Sequence, residues 1–365
     1  MTINSALQQF TAHYAGRWSD AVTSKSVYPL HSSSPSQTQL SSEQDTVNVL
    51  TSWSPTLHRS AAGNHAKVLH HGRATENVIV LIHGLTDSPF YMQAIAEDFA
   101  TAGFNVVLPL LPAHGLQRPG RAFRQLQYSD WCTEVDAMCN IAAGLGHRIS
   151  MGGLSTGGAL CVHKAIRSPG SVTGGLFLYS AALDIGTAEQ LLLQTEAGRI
   201  IARLSDQTIW LEKTVKDQLT MILDDQKAGE GDEHYGIGEN PYKYSVLFYE
   251  GASQLAEVIQ NINQYYATGK AATSIVKFSD LKLPLFIVHS TTDQSAKFRG
   301  VKRLIDNHLG SNAILLALRG IPHASVVLNA SIVANADHEE YAPANPHYLT
   351  MSAATQAFIR QYLYP

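Results

Sequence analysis

The sequence predicts an α/β fold, a mostly parallel sheet with helices on both faces. Three observations carry this. Val78-Ile79-Val80-Leu81-Ile82, Gly175-Leu176-Phe177-Leu178-Tyr179 and Leu285-Phe286-Ile287-Val288-His289 are short continuous apolar runs, the pattern of strands buried on both faces of a parallel sheet. Helical periodicities with short connections separate them. A glycine-rich stretch, Met151-Gly152-Gly153-Leu154-Ser155-Thr156-Gly157-Gly158, stands between a strand end at Arg148-Ile149-Ser150 and a helix over Ala159 to Ile166.

In chain order, Leu7, Phe10, Tyr14 and Trp18 recur at helical spacing, so residues 3–20 read as a helix with an aromatic stripe packed on the body. Residues 24–45, rich in Ser, Gln and Pro, read as an irregular surface segment. Strand and helix alternate from about residue 66: a strand over Ala66 to His71, the run ending at Ile82, a turn at Thr86-Asp87-Ser88-Pro89, a helix from Tyr91 to Ala102 ended by Gly103, and a strand over Phe104 to Leu108. A helix over 129–143 carries Trp131, Val135 and Met138 on one side.

After Asp184 the alternation stops. Leu191 to Leu204, Val215 to Leu223 and Ala252 to Tyr266 show helical patterns around an acidic loop, Asp224 to Glu239, and 184–280 reads as a helical cap over the active end of the sheet. The loop's carboxylates miss the ligand ladder of a calcium site, so it reads as solvated. Strands resume at Leu285 and over Ile314 to Leu318, and an amphipathic helix over 346–363 closes the chain. The expected organisation is an extension over 1–62, a core over 63–183 and 281–365, and the cap between them.

Composition narrows the class. The 365 residues are 45% hydrophobic and 15% charged, and no apolar run approaches the ~20 residues that cross a bilayer. Thirty acids stand against 26 bases, with no basic block to hold a phosphate backbone, so nucleic acid is not an expected partner. Cys132, Cys139 and Cys161 are odd in number and lack C-x-x-C spacing, which indicates neither a disulfide framework nor zinc, and they read as small buried hydrophobes. Residues 1–25 lack a basic start and a continuous apolar stretch, so the chain reads as cytoplasmic, as would one trimmed of its leader.

Gly153-Leu154-Ser155-Thr156-Gly157 fits G-x-S-x-G at a strand-to-helix turn. A serine on so sharp a turn needs neighbours without side chains two positions either way, and it then stands exposed at a helix start. That start supplies a free N–H, from Thr156, aimed where a carbonyl oxygen would gain negative charge. Gly-Leu-Ser-Thr-Gly-Gly-Ala-Leu, with His83-Gly84-Leu85 upstream and Leu111-Pro112-Ala113-His114-Gly115 between, resembles the α/β-hydrolase superfamily in its branch of carboxylesterases and monoacylglycerol-lipase-like enzymes. The resemblance covers about residues 66–365, and it implies that Leu85 N–H is the second oxyanion donor and that His114 shapes the pocket wall.

Acyl transfer on this fold needs nucleophile, acid and histidine in the order Ser, Asp or Glu, His, the last two on loops after late strands. Asp293 lies four residues beyond the strand ending at His289, and His323 five beyond the strand ending at Leu318. Asp184, after the preceding strand, is the reserve acid. His289 reads as packed on its strand, and His338 and His347 as facing solvent or cap.

Ser155, His323 and Asp293 then imply a two-step hydrolysis through an acyl-enzyme, with no metal or organic cofactor. Leu191 to Leu193, Ile200, Ile201, Trp210, Leu211, Phe248 and Tyr249 are available to line an apolar acyl pocket, which favours a small-molecule ester with a medium or long acyl chain. A lysophospholipase or thioesterase with the same triad is the alternative, for which Arg118, Arg121 and Arg124 would serve a headgroup. A non-catalytic binding protein on the same fold is the alternative of another class. The oligomeric state is not legible.

Overall fold

The computed structural model describes residues 2–15, 27–29, 64–115, 120–186, 209–213, 219–223, 240, 242–244, 247–267, 283–308, 312–333 and 340–364. The elements that position the site are α1 (Ile3–Ala15), β1 (Val27–Pro29), β2 (Lys67–His70), β3 (Thr75–Ile82), α2 (Gln93–Thr101), β4 (Asn105–Leu108), α3 (Gly120–Gln125), α4 (Tyr128–Ala142), β5 (Gly146–Leu154), α5 (Thr156–Arg167) and β6 (Leu176–Tyr179). After them come β7 (Ile209–Lys213), β8 (Leu219–Leu223), β9 (Leu247–Phe248), α6 (Tyr249–Ala267), β10 (Leu285–Ser290), α7 (Phe298–Asp306), β11 (Ala313–Leu318), β12 (Ile332–Val333), β13 (Glu340–Ala342) and α8 (Tyr348–Tyr362).

Eight strands form one sheet in the order β1-β2-β4-β3-β5-β6-β10-β11. Neighbours pair in parallel except β2 with β4. The apolar runs are continuous because alternate residues feed two different cores. Val78, Val80 and Ile82 face the helices α1, α4, α5 and α6, while Ile79 and Leu81 face α2 and α8. The same split holds for Leu176 and Leu178 against Phe177 and Tyr179, and for Leu285 and Ile287 against Phe286 and Val288.

Several expectations are corrected. Strand β5 continues past Ser150 to Leu154, because Met151 to Gly153 find ladder partners on both β3 and β6, and Leu154 finds one on β6. Within the segment read as irregular, Val27–Pro29 add a strand beside β2, where an open sheet edge offers backbone partners; the rest of 24–45 lies outside the described residues, as does Trp18. Helix α7 was not anticipated.

The helical reading of Val215 to Leu223 fails. Leu219–Leu223 is a strand, antiparallel to β7 with Ile209 opposite Leu223, and β9 pairs with β7 on its other side. Spacing of four between Val215, Leu219 and Leu223 imitates a helix, but Thr220, Ile222, Ile209 and Trp210 favour strands and a partner is present to pair with. Leu191 to Leu204 and the acidic loop lie outside the described residues. Helix α6 is where periodicity places it, yet Ala252, Leu255, Ala256, Val258, Ile259 and Ile262 are buried in the same core as α5, so α6 belongs to the body as well as to the cap segment.

Candidate active site

Parallel register puts Leu154, Tyr179, Val288 and Leu316 in one row, so the residues that follow each of them emerge at one edge of the sheet. That carboxyl edge is where ligands of open α/β sheets bind. Ser155 comes directly after Leu154. Strands lie about 4.8 Å apart, so β10 emerges about 10 Å from β5, a gap that a carboxylate and an imidazole in series can bridge.

Ser155 has φ 53° and ψ −114°, a left-handed backbone that an L-residue adopts only when its surroundings impose it. The glycines explain the pattern around it. A Cβ on Gly153 would collide with the Gly157 backbone, one on Gly157 with the Ile82 carbonyl, and one on Gly158 would stand 2.6 Å from the Ala181 Cβ. Ser155 N–H donates to Tyr179 O at 3.0 Å, and Ser155 O accepts from Ala159 and Ala182, which pins the turn to β6 and starts α5. The N–H of Thr156 precedes the first helical hydrogen bond and stays available at the positive end of the helix.

Leu85 follows Gly84, where an added Cβ would lie 3.3 Å from Ser155 Cβ, so the turn after β3 runs against the serine. Leu85 N–H is not used in backbone pairing among the described residues. His83 orders this turn. Leu111 N–H donates to its Nε2 at 3.1 Å, which leaves the proton on Nδ1 to be donated to Gly84 O at 2.8 Å. Burial, then the neighbouring His114, hold the His83 imidazole well below its usual pKa and keep it neutral. His114 Nε2 lies 2.5 Å from Leu85 O, and the ring packs edge-on against His83 at 4.8 Å.

Asp293 and His323 are brought together. His323 Nδ1 lies 2.6 Å from Asp293 Oδ2, while Oδ1 accepts from the N–H groups of Ser295 and Ala296, each at 2.9 Å. Burial alone would raise the Asp293 carboxyl, but the His323 hydrogen bond and charge, the Ala296 N–H and His289 outweigh it and hold it below the usual carboxylate range. The carboxylate therefore fixes the His323 proton on Nδ1 and leaves the Nε2 lone pair outward. Among the described residues no hydrogen bond joins His323 Nε2 to Ser155 Oγ; such bonds commonly close only with substrate in place.

The competing groups have other partners. Asp184 is held by Arg299, Nε to Oδ2 at 2.7 Å and Nη2 to Oδ1 at 3.0 Å, and does not meet His323. His289 is fully buried on β10 and donates from Nε2 to Ala296 O at 2.9 Å, as its strand position implies. His347 is exposed at the start of α8, and His338 lies outside the described residues.

Beside Leu85 stands an apolar wall. Phe123 stacks on Phe248 with centroids 4.8 Å apart, Tyr244 meets both edge-on, and a Cβ at Gly251 would touch Phe123 and Leu85. Of the residues expected to line an acyl pocket, Phe248 is in this wall, Tyr249 is buried beside it, and no side chains are described for the rest. Of the arginines, Arg118 and the side chain of Arg121 are outside the described residues, and Arg124 acts on the half-buried Glu250.

Sequence reasoning missed Phe123, Asp87 and Lys243. The Asp87 carboxylate is buried against Gly84, and Lys243 Nζ lies 3.6 Å from its Oδ1. Tyr244 N–H donates to Thr86 O at 2.7 Å, and Tyr242 stacks on Phe90 with centroids 3.5 Å apart, so the segment 240–244 is fastened to the turn after β3. The cluster Asn240-Pro241-Tyr242-Lys243-Tyr244 was the available signal.

This sheet order, with a serine on the elbow after β5 and an acid and histidine after β10 and β11, defines an α/β-hydrolase. Residues 73–324 match the family model described as serine aminopeptidase, S33, and the chain belongs to that family of serine hydrolases. Over 107 residues it is 32% identical to the thermostable monoacylglycerol lipase of Bacillus sp. (strain H-257); the match takes in 29% of this chain and 41% of that protein's length. A solved structure of the metagenome-derived lipolytic enzymes LipS and LipT superposes with a TM-score of 0.58 at 18% identity, covering 82% of this chain and 98% of the other. The monoacylglycerol lipase of Paleococcus ferrophilus gives 0.54 at 14% identity, with 81% and 98% covered. A soluble variant of the Saccharomyces cerevisiae monoglyceride lipase in complex with a substrate analogue gives 0.54 at 13%, with 81% and 90% covered. Among the described residues, no helix is long and apolar enough to cross a membrane and no group of His, Cys, Asp and Glu is arranged to hold a metal.

Proposed function

We propose that the chain hydrolyses carboxylic esters of small amphiphiles, monoacylglycerols being the model substrate, with Ser155 as nucleophile, His323 as base and Asp293 as the acid that orients it. The Asp293–His323 pair at 2.6 Å, on the sheet edge that carries Ser155, supports this best. Ser155 Oγ adds to the ester carbonyl as His323 Nε2 takes its proton. The carbonyl oxygen becomes an oxyanion held by the N–H groups of Leu85 and Thr156. Its collapse expels the alcohol, which leaves with the proton from His323, and water activated by the same nitrogen releases the acid from the acyl-enzyme. The aromatic wall of Phe123, Phe248 and Tyr244 supports an apolar acyl chain, and the lipase names of the relatives agree with it.

The test is fluorophosphonate labelling of wild type and Ser155→Ala, with hydrolysis of p-nitrophenyl butyrate and of alanine p-nitroanilide on the same samples. The expected result is that wild type labels and cleaves the ester far faster than the anilide, while both labelling and turnover vanish in the variant, kcat falling about 10⁴-fold or more. Unlabelled, folded wild type would overturn the assignment. Preference for the anilide would replace ester by peptide substrates.

A further inference from the structure

The first helix reaches the oxyanion turn through a line of hydrogen bonds. Tyr14, on α1, is buried and donates its hydroxyl to Glu134 Oε1 on α4 at 2.6 Å. A hydroxyl whose proton is committed offers its oxygen as an acceptor, and Leu110 N–H donates to it at 3.2 Å. Leu110 lies outside every helix and strand, in the loop after β4. The next N–H along, from Leu111, donates to His83 Nε2, and His83 Nδ1–H donates to Gly84 O. Gly84 C=O and Leu85 N–H belong to one peptide, which is trans, so the bond that fixes the carbonyl turns the N–H the opposite way. Further along the same loop, Trp131 Nε1 donates to Pro112 O at 3.2 Å, so α4 holds it at a second point.

We propose that Tyr14 is a positioning residue of the active site: its hydroxyl, set by Glu134, fixes the 110–111 loop, and through His83 that loop aims the Leu85 N–H at the developing oxyanion. The proposal rests on the reading of Leu85 as an oxyanion donor. It gives the N-terminal helix a part in the chemistry that burial of its aromatic face alone does not.

The test compares Tyr14→Phe with Ala6→Gly, which loosens the same helix at a fully buried position about two turns from Tyr14. Three properties are read on each: kcat and KM for p-nitrophenyl butyrate, affinity for a trifluoromethyl ketone that forms a tetrahedral adduct, and amide hydrogen exchange over 83–86 and 110–114. Loss of an entire oxyanion donor costs roughly 10²–10³ in kcat, so a donor left in place but less well aimed should cost about tenfold. Tyr14→Phe is expected to lower kcat by about that factor with KM within about twofold, to weaken the ketone equally, and to speed exchange in both segments. Ala6→Gly, at an equal or larger loss of Tm, is expected to do none of these.

Wild-type kcat and exchange in folded Tyr14→Phe would overturn the proposal, as would equal effects from both variants, which would trace them to helix docking. Should Tyr14→Phe not fold, wild type alone decides: the Leu110 and Leu111 amides must be protected, and exchange at open-loop rates would overturn the relay. Failure of wild type to label with fluorophosphonate would remove the hydrolase reading, while exchange at 83–86 would still show whether Tyr14 holds the turn.

Discussion

Ser155 keeps its left-handed backbone because packed backbone surrounds the turn: Gly157 against Ile82, Gly153 against Gly157, and the two ends of Ser155 tied to Tyr179 on β6 and to Ala182 just beyond it. Asp293 is placed with similar economy. One oxygen is used by two backbone N–H groups and the other by His323, so the imidazole has one tautomer and one direction. Asp293→Asn keeps the shape but can turn an NH2 toward Nδ1 and invert the tautomer. The expected outcome is a kcat loss of about 10⁴ at neutral pH with near-normal Tm, measured on p-nitrophenyl butyrate. At this scale the sequence is informative wherever chemistry constrains spacing. Glycines two positions either side of Ser155, and an acid and a histidine just past apolar runs, are visible in one dimension. Asp87 and Lys243 are not, because they are 156 positions apart and nothing local to either announces the other.

Among the elements, α7 shows how a loop acid that is not used in the site is used in the fold. Burial alone would raise the Asp184 carboxyl, but the Arg299 hydrogen bond, Gly186 N–H and the charges of Arg299 and Arg303 bring it below the usual range. A carboxyl depressed on folding adds stability above its unfolded pKa, about 3.9, and that share is lost as pH falls through the lower folded value. Arg299 is largely exposed, so Arg299→Gln should cost only about 1 kcal/mol at pH 7, and the gap to wild type should narrow as pH falls below the unfolded carboxyl value. Urea midpoints at pH 7, 5 and 3 would check this. Elements with long apolar runs or clear periodicity were legible; β7 and β8 were not, because a strand's identity depends on the partner it pairs with. For the same reason β1, three residues long, could not be read from 24–45.

For the molecule as a whole, three stretches far apart in the chain meet at the site's apolar side: Leu85 after β3, Phe123 on α3, and Tyr244 with Phe248 before α6. A wall built from separate elements should select acyl chains by burial, at about 0.8 kcal/mol per methylene. In a p-nitrophenyl ester series kcat/KM is expected to rise from acetate to at least hexanoate, and a steady fall with length would contradict the apolar acyl pocket. Phe248→Ala should flatten the profile. Fold class and site edge were legible here because parallel sheets leave both apolar runs and the catalytic loops in fixed chain order. The N-terminal helix gave only its aromatic stripe, since what Tyr14 touches lies 96 and 120 residues away.

The place of β10 in the sheet has a further consequence, in biosynthesis. Its neighbour β6 ends at Tyr179, but β10 does not begin until Leu285. At ribosomal speeds of roughly 5–20 residues per second, the intervening stretch takes on the order of 5–20 s to make. Throughout that interval Leu176-Phe177-Leu178-Tyr179 presents an apolar strand edge with its native partner not yet synthesised. Expression of this chain should therefore respond to anything that shields the nascent strand or shortens the wait, such as added ribosome-bound chaperone or faster translation between Tyr179 and Leu285. Mutations in the 184–280 segment should show their first effect as yield of soluble protein, before any change in the rate at which an ester is cleaved.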